Sequence, residues 1–158
     1  MPQTTDAMSS ANYKVEVSDD GSTWTDISGA NASVQIDGGD IGVGSQHTAA
    51  GAEAIVVSNK KRDPLTITVK AIYTETADEP WKVVRDLYES ADPALYLRFS
   101  PNGGGTGDMR YTTAVGGTAA AVPIKSCGYP QLDAGSEDPA MFEFSVMTPG
   151  LKSEAIAA

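Results

Sequence analysis

The chain of 158 residues contains one cysteine, Cys127, and one histidine, His47. A single cysteine cannot build an intramolecular disulfide framework, and a chain of this length can form one domain with a hydrophobic core of its own. A zinc site needs several ligands at set spacing, and here the two candidates are far apart. His47 lies in a Gly/Ala-rich segment without an acidic partner beside it, a poor setting for a catalytic base. The sequence therefore predicts no enzyme, no cofactor and no metal.

Positive charge is also scarce, because 11 Lys and Arg residues face 21 Asp and Glu residues, for a formal net charge of −10. Such a surface repels phosphate, which argues against nucleic-acid binding by charge neutralisation. Solubility alone explains the acidity, although a surface that DNA must pass without sticking would also be negative. No window approaches the roughly 20 apolar residues of a membrane helix, and the first residues lack the features of a signal peptide. The expected protein is soluble, independent of membranes and made in a cytoplasm.

Two local motifs resemble ligand sites but are incomplete. The acidic pairs Asp19-Asp20 and Asp37/Asp40 lack the remaining ligands and the closing Glu of a calcium loop. The glycine-rich stretch at 103–107 lacks the Gly-Lys-Ser/Thr and the following helix of a phosphate-binding loop. Turn chemistry accounts for both motifs.

Alternation of apolar and polar residues predicts strands along most of the chain. One amphipathic helix interrupts the pattern, with Asp78 as the expected N-cap and Trp81, Val84, Leu87 and Tyr88 at helical spacing. The result is a single domain over residues 1–158, a mostly β sandwich or barrel of about eight to ten strands flanked by one helix. Its expected strands cover 13–18, 23–27, 33–36, 65–73, 94–99, 110–114 and, as the last one, 141–147, with weaker candidates at 119–125 and 129–132.

Residues 37–63 form a segment that is too long for a hairpin turn and too apolar for a linker. Loops longer than about 12–15 residues are uncommon in compact domains and are usually functional or disordered. The segment combines many glycines with a basic cluster and with apolar side chains that would be costly to leave in water. We expect a mobile arm, with a strand near 54–58, that another protein subunit covers. Its apolar residues are Ile41, Val43, Ile55, Val56 and Val57, and its basic cluster is Lys60, Lys61 and Arg62.

The order of these features resembles the tail tube (major tail) proteins of bacteriophages with long, non-contractile tails. The likeness covers roughly residues 12–148, and its motifs are moderately specific because none is a catalytic signature. It rests on the hairpin with 21–24, the arm at 37–63, the strand 65–73, the helix residues 81–88, the strand and glycine-rich turn at 95–108, and the strand 141–147.

This resemblance implies a structural virion protein that polymerises as stacked hexameric rings into a hollow tube. It implies a tape measure protein, tail tip or baseplate proteins and a tail terminator as partners, assembly in the host bacterial cytoplasm, and double-stranded DNA passing through the lumen without specific binding. The segment 37–63 becomes the inter-ring loop, with Ile41, Val43, Ile55 and Val57 as apolar contacts. Lys60, Lys61 and Arg62 are expected to meet carboxylates of a neighbouring subunit. Residues 1–12 and 149–158 are expected to be flexible tails.

A second interpretation remains open. The hairpin from Tyr13 to Trp24 resembles one found in discoidin-type sandwiches that bind carbohydrate or lipid outside cells, and 97–99 resembles their second strand. This match covers about fifteen residues of a pattern that many β-sandwiches share. Such modules present aromatic side chains on exposed loops, whereas Trp24 and Trp81 are expected within regular elements. The interpretation predicts a monomer that binds a glycan.

Overall fold

The computed structural model describes residues 3, 4 and 6–158. Within this part the chain forms twelve strands, one α-helix and a short 3-10 helix at Ser28–Ala30, and no helix is long and apolar enough to span a membrane. The α-helix, α1, covers Pro80–Tyr88. The strands are β1 (Lys14–Ser18), β2 (Thr25–Asp26), β3 (Asn31–Gly38), β4 (Ile41–Gln46), β5 (Ile55–Arg62), β6 (Leu65–Ile72), β7 (Ala94–Ser100), β8 (Met109–Val115), β9 (Thr118–Ala119), β10 (Val122–Cys127), β11 (Met141–Thr148) and β12 (Gly150–Ala155).

Ten of the strands are linked by hydrogen bonds. Their order is β12-β8-β7-β10-β11-β6-β3, with β1 paired to β7, β2 paired to β1 and β9 paired to β8. Only the first two residues of β7, Ala94 and Leu95, pair with β10, so the sheet folds there into two halves. Side chains from both halves meet in one core cluster, including Val17 and Leu97 from one half and Val69 and Phe144 from the other. The predicted mostly β sandwich with one flanking helix is confirmed.

The predicted strand 65–73 is the centre of the second half. It appears as β6, and Ile67, Val69 and Ala71 are fully buried while Lys70 between them is exposed. β6 pairs along its whole length with β11 and on its other side with β3. The period of two in the sequence thus correctly identified the face that packs inward.

The helix covers the core beside β10, β6 and β7. Trp81 packs edge-on against Tyr73 and Phe142, with ring centroids 5.1 Å away in each case, and Val84 is fully buried. The prediction of Asp78 as the N-cap is wrong. Asp78 has a positive φ of 65° in the preceding turn, and Glu79 occupies the cap position without a side-chain cap bond. Pro80 at the first helical position fixes where the helix begins.

Three other expectations change. The segment 37–63 contains a hairpin of two strands, β4 and β5, where one strand near 54–58 was expected. The strand at 141–147 is not the last, because β12 follows it and pairs with β8 over Gly150–Ala155, where a tail was expected. Residues 129–132 form no strand. The expected N-terminal arm lies partly outside the described residues, and its described part, residues 3, 4 and 6–12, contains no helix or strand.

Candidate assembly surface

The β4–β5 hairpin leaves the sandwich at one end of the β3–β6 pair, where Gly38 lies opposite Leu65. Gly38 and Gly39 have φ values of 94° and 80°, a conformation that side chains with a Cβ rarely adopt. A hydrogen bond of 2.9 Å from the Asp63 amide to the Asp40 carbonyl then closes the base of the hairpin. The sequence Gly38-Gly39 therefore determines where the chain leaves the sheet.

Every residue of β4 and β5 is exposed. In the register of the hairpin, Val43 lies opposite Ser58 and Val56 opposite Ser45, so Val43 and Val56 share one face. Ile55 and Val57 lie opposite Gln46 and Gly44 on the other face. Both faces are thus apolar, with 57–63% of each of these four side chains accessible. Isolated exposed apolar residues are ordinary, but such a cluster on a projecting hairpin indicates an interaction site.

The predicted contact residues are brought together by this hairpin. Ile41, Val43, Ile55 and Val57 all lie on it, and Ile41, 41% exposed, pairs with Arg62 at its base. The predicted set omitted Val56, although the sequence contains the signal for it. Three consecutive apolar residues at 55–57 alternate between the two faces of a strand, so an exposed hairpin presents Val56 on the face opposite to Ile55 and Val57.

The basic cluster occupies the end of β5 next to these apolar residues. Lys60 has a positive φ of 59°, which accompanies a register shift between the two strands. The side chains of Lys60, Lys61 and Arg62 are exposed, and none of them forms a salt bridge within the described part of the chain. The hairpin therefore carries three cations that are available to an external partner.

Two sheet edges are also open. β3 and β12 stand at the two ends of the strand order, and each is paired on one side only within the described residues. Open edges expose unpaired amides and carbonyls that accept a further strand. β3 is eight residues long and β12 is six, so both are long enough for such pairing.

A groove lies at the opposite end of the β6–β11 pair, beneath the loop of residues 128–140 that connects β10 to β11. Its volume is about 780 Å³. The loop is held to the sheet by backbone hydrogen bonds from Tyr73 to Ala140 (2.8 Å) and from Gly128 to Glu143 (2.9 Å). Leu132 and Tyr129 on its wall are 83% and 71% exposed. The groove was not predicted, because residues 128–140 suggested only a weak strand at 129–132, and apolar side chains such as Tyr129 and Leu132 in a loop do not by themselves predict a concave surface.

Arg85 on α1 fixes the position of Tyr129 at this groove. Its Nη2 donates to the Tyr129 hydroxyl (2.7 Å), its Nη1 donates to the Cys127 carbonyl (2.9 Å), and its Nε donates to Glu89 (2.7 Å). The guanidinium also lies 4.4 Å from the centre of the Tyr129 ring, a cation–π contact. Tyr129 is thus anchored although most of its surface faces solvent.

The other sequence motifs are structural. The Asp108 carboxylate accepts hydrogen bonds from the Gly105 amide (2.7 Å) and from the Asn102 side chain (2.9 Å), so it closes the glycine-rich loop itself. Asp20 accepts from the amides of Thr23 and Ser22, and these bonds lower its pKa well below the ordinary range. Within the residues that the structure describes, no group of three potential metal ligands occurs. His47 is exposed on the hairpin connection.

The two tryptophans give no support to a glycan platform. Trp24 is half-buried, with the Arg98 guanidinium 3.9 Å above its ring and Tyr96 at its edge. Trp81 is buried in the core. Their faces are therefore engaged within the chain and not offered to a ligand.

No family model and no curated protein matches the sequence. Several solved structures have a similar fold over most of this chain. One is the sheath–tube complex of the extracellular contractile injection system PVC in the extended state (17% identity, TM-score 0.63, covering 96% of this chain and 94% of that chain). Another is the tube-terminating cap of the anti-feeding prophage AFP (13% identity, TM-score 0.64, covering 98% of this chain and 95% of that chain). A third is the tail of an empty GTA particle with C6 symmetry (9% identity, TM-score 0.60, covering 96% of this chain and 100% of that chain). The chain thus has a tail-tube-like fold over nearly its whole length.

Proposed function

We propose that this chain is a structural tail protein, a tube subunit that assembles as stacked hexameric rings. The observation that carries the proposal is the fold, which matches a chain of a sheath–tube complex over 96% of this chain and 94% of that one. The exposed apolar hairpin supports it, because such a surface is costly to leave in water and is explained by a neighbouring subunit.

The hairpin would supply the contact between rings. Burying each of its largely exposed Val and Ile side chains contributes on the order of 1–2 kcal/mol. A ring of six copies would engage six hairpins at once, so weak single contacts add up to a stable stack. A free subunit would make only one hairpin contact with another free subunit, so two such subunits would bind each other only weakly.

The open edges would supply the contacts within a ring. A strand of one subunit placed beside β3 or β12 of the next would satisfy the free backbone groups and remove the hazard of an open sheet. Acidic side chains on the lumen would keep passing double-stranded DNA mobile. A tape measure protein inside the tube and proteins at its tip and terminator would complete the tail in a virion.

The sequence and the similar structures point to different types of tail. The sequence resembles tube proteins of non-contractile phage tails, whereas the similar structures include a contractile injection system and a GTA tail. The tube function is common to both interpretations. We therefore propose a tube subunit that has no enzymatic activity and is assembled in a bacterial cytoplasm, in either a phage tail or a phage-derived particle.

Electron microscopy of the concentrated, purified protein at neutral pH tests this function. Six-fold rings with a central hole, or hollow tubes built from them, are the expected result. Sedimentation over a wide range of concentrations provides the second measurement. A chain that remains monomeric throughout, without rings in the micrographs, contradicts the proposal.

A further inference from the structure

We propose that the groove beneath residues 128–140 is the receptor for the β4–β5 hairpin of a second copy of this chain. The inference rests on the proposed function and deepens it by naming the two surfaces that join successive subunits. It is carried by three relations between the surfaces, namely their chemistry, their charge and their placement on the fold.

The groove contains an apolar strip within a lining that is polar elsewhere. Leu132 and Tyr129 expose most of their side chains along its wall, and Pro130, Pro139 and Met141 extend the apolar lining. A volume of about 780 Å³ is sufficient for several side chains of Val or Ile size. The hairpin presents such side chains on both of its faces, so one face can enter the groove while the other stays available to a further neighbour.

The charges of the two surfaces are complementary. Asp133, Asp138 and Glu143 line the groove, with Lys70 as the only basic lining residue. Lys70 lies directly opposite Glu143, so the net negative charge of the lining comes from Asp133 and Asp138. These three carboxylates form no salt bridge within the described residues, nor does the hairpin cluster of Lys60, Lys61 and Arg62. Each surface therefore has unpaired charge of the sign that the other one needs, next to an apolar strip. Complementary charges of this kind determine register and orientation.

The placement of the two surfaces requires a head-to-tail contact. The hairpin leaves beside Leu65, which pairs with Thr148, whereas the groove lies where Ile72 pairs with Met141. Seven residues of β6 separate these ends, a distance of roughly 23 Å at 3.3 Å per residue. A donor and a receptor at opposite ends of one sheet form a heterologous contact, which leaves a free donor and a free receptor after each addition. Stacking can then continue without limit, as a tube requires.

Hydrogen bonds hold the groove in place in the free chain. Its loop is bonded to the sheet at Ala140 and Gly128, and the Gln131 amide donates to the Met141 carbonyl (3.1 Å). Arg85 donates a hydrogen bond to the Tyr129 hydroxyl (2.7 Å) and so fixes the position of this side chain. A receptor that exists before binding loses little conformational freedom when the hairpin enters.

Charge reversal on each side, followed by mixing, tests the contact. The hairpin variant is Lys61→Glu/Arg62→Glu, and the groove variant is Asp133→Lys/Asp138→Lys. None of these four side chains forms a salt bridge within the described residues. Their one hydrogen bond, from the Gly135 amide to Asp133 (2.9 Å), is local and exposed, so both variants should keep the circular dichroism and thermal midpoint of the parent. Lys82→Glu/Lys125→Glu and Asp19→Lys/Asp86→Lys carry the same changes in net charge at exposed positions elsewhere and serve as controls.

Sedimentation velocity at low ionic strength measures self-association. Each reversal alone should weaken it about tenfold or more, because like charges then face each other across the contact. Association should recover in an equimolar mixture of the two variants, since the hairpin of each variant meets a groove of opposite charge on the other and the two can alternate along a stack. The controls should behave as the parent.

The outcomes separate this inference from the proposed function. If the parent forms rings or tubes and the reversals have no more effect than the controls, the groove is not the receptor, although the tube function stands. Impaired single variants that fail to rescue each other in the mixture also overturn the pairing. If the parent and the mixture are both monomeric at all concentrations, the contact and the function fail together.

Discussion

Glu16 on β1 and Arg98 on β7 lie directly opposite each other, and Arg98 Nε donates a hydrogen bond of 2.6 Å to Glu16 Oε2. Lys14 Nζ lies 3.2 Å from the other carboxylate oxygen. The Arg98 guanidinium also covers the Trp24 ring. The pair joins β1 to the strand that links the two halves of the sandwich, and it compensates a carboxylate whose residue is 9% exposed.

The first prediction concerns the acid sensitivity that this pair creates. Burial alone would raise the pKa of Glu16, but the hydrogen bonds and charges of Arg98 and Lys14 outweigh it and lower the pKa from its ordinary value of 4.5. A carboxyl group with a lowered pKa stabilises the fold above its unfolded pKa, and this contribution disappears as the pH falls through the folded pKa. Glu16→Gln should therefore cost about 1–3 kcal/mol at pH 7, with a smaller difference near pH 3.

Urea unfolding at the two pH values measures this difference. Glu137→Gln removes an exposed carboxylate from the loop and serves as the control, with little expected effect at either pH. An equal loss for Glu16→Gln at both pH values would show that the ion pair does not contribute to the acid sensitivity.

The second prediction concerns the base of the hairpin. A Cβ at Gly38 would collide with the Pro64 carbonyl oxygen, and the φ of 94° is strained for any other residue. Gly38→Ala should destabilise the chain by about 1–3 kcal/mol. Gly44→Ala is the matched control on the same hairpin, because a Cβ there meets no atom within 4 Å and its φ is not positive. Thermal unfolding compares the two variants, and equal midpoints would contradict the structural role of Gly38.

The sequence predicted best where burial enforces a pattern. Along 65–73 and 94–99 one face of each strand packs into the core, so the period of two is unambiguous and both strands were identified. The hairpin was only partly predicted, because both of its faces meet solvent in one subunit and burial therefore imposes no pattern on it. Gly42 and Gly44 also have no side chains, so β4 shows no alternation of apolar and polar residues. The hairpin places the side chains of the predicted contacts together. Because a single subunit contains no partner, their role as contacts stays a prediction.

The missed elements depend on contacts between distant parts of the chain. β12 contains Lys152, Ser153 and Glu154, a polar sequence that resembles a tail, and it becomes a strand because β8 offers an edge for pairing. Glu154 accepts a hydrogen bond from Arg110 across that pair (2.6 Å). Asp78 was predicted as a cap from its local sequence, yet the chain enters the helix one residue later at Glu79. Local propensity cannot resolve such choices.

The third prediction separates folding from assembly. Ile55→Ser/Val57→Ser changes two exposed side chains on one face of the hairpin, so the free energy of unfolding of the monomer should change by no more than about 0.5 kcal/mol. Assembly should nevertheless be lost, since the same side chains are proposed to become buried between rings. Sedimentation and electron microscopy measure assembly, and urea unfolding measures stability. Val115→Ser, which alters an exposed apolar residue at 52% exposure outside the hairpin, is the control. Normal assembly of the hairpin variant would exclude these side chains from the contact.

The last prediction uses Cys127 as a reporter of unfolding. The residue is 5% exposed, and burial raises the pKa of its thiol. The thiolate is the reactive form, so a thiol reagent at pH 8 should modify the native chain slowly and the urea-unfolded chain rapidly. Leu97→Ala, in the other half of the sandwich, should cost about 2–5 kcal/mol and so raise the labelling rate about thirtyfold or more. Val43→Ala on the exposed hairpin should leave the rate unchanged. Rapid labelling of the native parent would mean that the thiol is reached through local opening near β10, and the rate would then not follow global stability.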